Sequence, residues 1–152
     1  MKIHMALVAL IVLILASCAT TNSLPSSSAE VDEFKKTEWP RKKRAKCVVL
    51  KGETVEQVFK IARTSLASNE FKILSEDLSQ GILIGNHGMT WTYWNAVVGV
   101  YMTKIAEGVQ VDVLAVSDAD PRPIRLNKFD WNEKILKSIV SQSSSDSQAC
   151  SK

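Results

Sequence analysis

Few side chains in this chain of 152 residues could do chemistry. Three are cysteines, Cys18, Cys47 and Cys150, and beyond the N-terminal apolar run there is one histidine, His87. A thiol becomes a nucleophile when a base lowers its pKa, so Cys47 and His87 are the pair to weigh. No local signature surrounds either, and His87 is expected to be a structural or surface residue. Metal sites need Cys/His clusters at short fixed spacing, and none is present. Gly85-Asn86-His87-Gly88 has the glycines of a phosphate loop without its pattern, and no Gly-x-Ser-x-Gly elbow occurs. The carboxylates are scattered over turns and helices. The expectation is a protein without catalysis, cofactor or metal.

Cys18 stands apart from the other two cysteines. It follows a run from Met5 to Leu15 that is wholly apolar, behind the short positive start Met1-Lys2. A positive n-region, a short apolar core and small residues at its end make an export signal. A membrane span needs roughly 20 apolar residues, and this run is shorter. Its last residues, Leu15-Ala16-Ser17-Cys18, resemble the lipobox of bacterial lipoproteins: an aliphatic residue, two small ones, then cysteine. The resemblance implies that residues 1–17 are a lipoprotein signal peptide and that Leu15, Ala16 and Ser17 are read by the processing enzymes. It implies that Cys18 carries the acyl chains, palmitate among them, and becomes the first residue of the mature protein. Each buried methylene contributes about 0.8 kcal/mol, and two chains give stable anchoring where one does not. Ala19 stands where an aspartate tends to retain such proteins in the inner membrane. Its presence favours the outer membrane, facing the periplasm, in a Gram-negative cell.

The charge distribution separates the remainder into two parts. Glu30 to Lys46 holds seven basic and four acidic residues, a balance of +3. Cys47 onward sums to −1. A nucleic-acid-binding fold carries its positive face on the domain itself, so no nucleic-acid partner is expected. Residues 18–46 read as a flexible charged tether, Ser/Thr-rich at first and basic at its end. As random coil, the stretch from Ala19 to Lys46 would hold the domain about 30 Å from a membrane. Trp39-Pro40-Arg41-Lys42-Lys43-Arg44-Ala45-Lys46 has two readings. It is a solvated linker, or Arg41, Lys42, Lys43, Arg44 and Lys46 contact anionic lipid at about 1 kcal/mol each. Charge runs are usually solvated, so the first ranks ahead.

The elements that position these residues follow from periodicity. Cys47-Val48-Val49-Leu50 reads as a strand, and Thr54-Val55-Glu56-Gln57 as a capping box opening an amphipathic helix to about Ala67. Ser68-Asn69 is expected to close that helix, with Asn69 left-handed. Phe71 to Glu76, Gly81 to Gly85, Asn95 to Ile105 and Val109 to Val116 are predicted strands. Asp118 to Pro123 cannot continue a sheet, and its two aspartates fall far short of a calcium loop, so a turn is expected. Asp130 is placed to cap a last helix with a stripe of Trp131, Ile135, Leu136, Ile139 and Val140. Residues 143–152 read as a polar tail. The order β-α-β-β-β-β-α over residues 47–142 predicts an α+β domain. It would be a two-layer sandwich, a mainly antiparallel sheet with two helices on one face. By element order it resembles the helix-grip-like domains of small envelope lipoproteins.

Two questions stay open at this level. Cys47 and Cys150 flank the domain, and in an oxidising compartment they are either bridged or free. Trp91, Tyr93 and Trp94 lie between two predicted strands, either as an exposed patch for a partner or as core residues of longer strands. The functional expectation is a lipid-anchored envelope protein whose domain binds or scaffolds another envelope protein without turnover. The alternative is a lipid- or glycan-binding lipoprotein using the space between the sheet and the last helix. An enzyme ranks third.

Overall fold

The structure, a computed structural model, describes residues 24–36, 45–88, 95–117 and 130–150. The expected lipobox at Leu15 to Cys18, the basic residues Arg41 to Arg44, the aromatic residues Trp91, Tyr93 and Trp94, and the turn expected at Asp118 to Pro123 lie outside them.

The chain is an α+β sandwich. In order come α1 (Ser28–Lys36), β1 (Lys46–Lys51), α2 (Val55–Ser68), β2 (Lys72–Asp77), β3 (Ile82–Asn86), β4 (Ala96–Ile105), β5 (Gly108–Ser117), α3 (Trp131–Gln142) and β6 (Ser147–Ala149). The six strands form one sheet in the order β2-β3-β4-β5-β1-β6. Every neighbouring pair is antiparallel.

The strand period of two sorts the apolar residues onto both faces. Val48, Leu50, Leu83, Val98, Val100, Met102, Val109, Val111 and Val113 point to one side and meet α2 and α3. α2 contributes Val58, Phe59, Ala62 and Leu66, and α3 contributes Trp131, Ile135 and Ile139. The capping box forms as its sequence requires. Thr54 Oγ1 accepts from the Gln57 amide at 3.3 Å, while the Thr54 amide donates to Gln57 Oε1 at 2.8 Å. Asp130 likewise accepts from the Glu133 amide at 3.1 Å. The left-handed residue after α2 is Glu70 at φ 65°, not Asn69, whose φ is −102°. Asn69 instead turns its amide onto the Ser65 carbonyl at 2.7 Å.

Two features depart from the sequence expectation, and a third settles a question it left open. Residues 24–36, expected within a flexible tether, include the helix α1, docked on the second face of the sheet. Its Val31 is buried, with Leu24 before it, against Ile82, Ile84, Val97, Tyr101 and Leu114. Ser27-Ser28-Ala29-Glu30 starts it: the Glu30 amide donates to Ser27 Oγ at 3.4 Å, and the Glu30 carboxylate reaches back to the Ser26 amide at 2.8 Å. This third helix explains why β4 is buried on both sides from Ala96 to Met102. The supposed polar tail is also structured. β6 adds to β1 with Val48 opposite Ala149, and the Lys51 amide donates to the Asp146 carbonyl at 3.1 Å. Beyond it Cys47 and Cys150 form a disulfide with their Cα atoms 5.6 Å apart, which resolves the pair left open by the sequence. Among the described residues the folded part thus takes in 24–36 and β6 as well as the expected 47–142.

A candidate binding groove beside helix α1

Two polar anchors hold α1 and its lead-in against β4 and β5. Tyr101 on β4 lies directly across from Asp112 on β5. The Tyr101 ring packs over Gly99, where a Cβ would come within 2.7 Å of the ring. That clearance lets its hydroxyl donate to the Pro25 carbonyl at 2.8 Å. Burial pushes the Tyr101 phenol well above its ordinary pKa, and the nearby Glu30 charge adds to this. Asp112 is 4% exposed. Lys35 Nζ meets its Oδ1 at 2.6 Å, and the Gln110 amide donates to its Oδ2 at 2.8 Å. Burial works against the Lys35 charge, but hydrogen bonds to Asp112 and Asp32 outweigh it and its pKa is raised.

α1 covers β4 and β5 and leaves the second face over β2 and β3 partly open. A groove of about 680 Å³ lies there. Ile82 and Ile84 of β3 form its apolar floor, Leu24, Ser26 and Glu30 one wall, and Leu74, Ser75 and Asp77 of β2 the other. The second wall depends on a β-bulge. Ile73 pairs with Gly85 and Ser75 with Ile84, so Leu74 is an extra residue without a partner. Such bulges re-aim side chains, and here Ile73 packs into the helix-side core while Leu74 turns to the groove, 48% exposed. The rim is acidic. Hydrogen bonds from the Ser26 amide and hydroxyl hold the Glu30 carboxyl below the usual range, and those from Ser79 Oγ and the Gln80 amide do the same for Asp77. Among the described residues no basic side chain lines the groove.

Other expected sites fall elsewhere. The space between the sheet and the last helix is filled by Trp131, Ile135 and Ile139, so the open groove is on the opposite face from the one expected for a ligand. Cys47 is spent in the disulfide and has no thiol to pair with His87. The His87 side chain is 2% exposed, its ring edge-on to Phe71 at 5.2 Å and against Trp131 at 4.7 Å. Lys46 heads β1, with its ammonium 3.8 Å from Glu133 Oε2. Among the described residues no group of three or more His, Cys, Asp or Glu side chains could hold a metal ion. Among them, too, no helix is long and apolar enough to cross a membrane. No family model matches the chain, and no curated protein does so either.

The bulged Leu74 and the docked α1, which together make the groove, were absent from the sequence expectation. Ser27-x-x-Glu30 was the available signal for α1, since that spacing is a capping pattern ahead of Val31 and Phe34.

Proposed function

We propose that this chain is a lipid-anchored protein of the cell envelope, held in the outer membrane on the periplasmic side through acyl chains on Cys18. Its domain binds a second envelope protein through the α1 face, without catalysis. The observation that carries this reading is where the described fold begins. Leu24 is docked at the groove wall, six residues after Cys18. Six residues span at most about 21 Å fully extended, so an anchor at Cys18 would hold the groove close to the bilayer. A flexible tether to Lys46 would have let it roam. The disulfide fits an oxidising compartment.

The test is co-purification from the native host after mild detergent solubilisation. A stoichiometric protein partner is expected, and it should be lost when Leu24→Asp loosens the α1 face. Recovery of the chain alone under several detergents would overturn the reading. A small-ligand reading draws on the groove volume, which falls in the range of ligand sites. It would be favoured instead if native mass spectrometry found a bound small molecule that organic extraction removes.

A further inference from the structure

We propose that the groove beside α1 takes an extended segment of the partner protein in which an apolar side chain is flanked by lysine or arginine. The inference rests on the protein-binding reading above and names the partner's chemistry.

The floor and both walls offer apolar contact through Ile82, Ile84, Leu24 and Leu74. Leu74 is half exposed on the edge strand β2, where the bulge turns it to the groove. An apolar side chain laid beside Leu74 would cover it, with Ile84, only 9% exposed, beneath. Among the described residues that line the groove the charged ones are Glu30 and Asp77, on opposite walls, and both carboxyls are ionised at neutral pH. Cationic groups on either side of the apolar anchor would face one carboxylate each. An acidic segment would meet like charge on both walls and be rejected. The bulge also breaks the regular edge of β2 at Leu74, so recognition goes through side chains rather than through continuation of the hydrogen-bond ladder. The groove is open along its length, which suits an extended chain better than an enclosed small molecule.

The experiment uses residues 18–152 carrying Cys18→Ser, exported so that the disulfide forms and free of detergent. Fluorescence anisotropy would follow a labelled octapeptide alternating leucine with lysine, beside one alternating leucine with glutamate. The basic peptide is expected to bind about tenfold or more tightly than the acidic one. Binding should weaken in 0.5 M salt, where the Debye length falls to about 4 Å. Leu74→Lys, at an exposed position, should leave thermal stability unchanged and weaken the basic peptide about fivefold or more. Glu30→Gln should weaken it as well. Equal binding of the two peptides, no binding of the basic one, or an unaltered affinity in Leu74→Lys would overturn the inference. So would concentration-dependent dimers abolished by Leu74→Lys, which would make a second copy the occupant. In the native host, a partner still retained by Leu74→Lys would sink the groove assignment and leave the protein-binding reading standing. Absence of any partner from the wild-type chain would sink both.

Discussion

Replacing Lys35 by methionine isolates what holds α1 to the sheet. The substitution keeps a long side chain over the same surface but removes the ammonium that meets Asp112 Oδ1 at 2.6 Å. Asp112, 4% exposed, would be left in the sheet with only the Gln110 amide. Removing one partner of a buried ion pair costs about 3–5 kcal/mol, and the low end applies because the Lys35 side chain keeps 29% exposure. α1 has little to set against this. The segment's buried apolar contacts are Leu24 ahead of the helix and Val31 within it, each worth about 1.5–3 kcal/mol before the entropy of ordering is subtracted, with Phe34 partly buried beside them. The helix therefore opens rather than carry an unpaired carboxylate, and water reaches Asp112. The loss of global stability is capped at the docking energy of α1, because the helix-side core does not depend on it.

Amide hydrogen exchange read by mass spectrometry distinguishes this from general destabilisation. Residues 28–36 should lose protection in Lys35→Met, while α2 and β4 keep theirs. Adding Asp112→Asn should restore protection in part, since a neutral amide is cheaper to bury than a lone charge. If residues 28–36 stay protected in Lys35→Met and global stability falls by less than about 0.5 kcal/mol, the size of an ordinary surface change, the ion pair does not hold the helix.

Two further outcomes follow from the same geometry. Cys47→Ser with Cys150→Ser opens a loop spanning 103 residues, for which the chain-entropy ceiling is about 4.7 kcal/mol. A loss of about 2–4 kcal/mol in urea unfolding is expected, with β6 the first strand to lose exchange protection; no change in the midpoint would contradict it. The alkaline limit of α1 docking follows from Lys35 and Tyr101, whose pKa values are both raised in the fold. The stability each contributes is complete below its unfolded pKa, about 10 for tyrosine and 10.4 for lysine, and drains away as pH rises beyond it. Ultraviolet titration should show one phenol ionising late, together with release of α1, and Tyr101→Phe should remove that step. Ionisation of every phenol near the ordinary value would count against it.

The sequence made the helix-facing half of the domain legible, and physics explains why. Thr54 and Gln57 announce α2 locally, and Val109, Val111 and Val113 alternate on a strand whose register admits no slip without exposing them. The second face was harder to read. α1 has only Val31 and Phe34 as apolar guides amid five charges, so its periodicity is faint and its docking depends on Asp112 and Tyr101 far away in sequence. β6 is three residues, Ser147 to Ala149, with no strand pattern of its own; it pairs with β1 next to the bridge at Cys150. The groove needs both the docked helix and the bulge at Leu74. Neither is a local property, so the sequence pointed to the opposite face.

Membrane attachment through Cys18 is the claim on which the functional proposal turns. Growth of the native host with labelled palmitate, followed by isolation of the chain, tests it most directly. The wild-type protein should carry the label and sediment with the membranes, and Cys18→Ser should do neither. A wild-type chain that stays unlabelled and remains in the soluble fraction would contradict it.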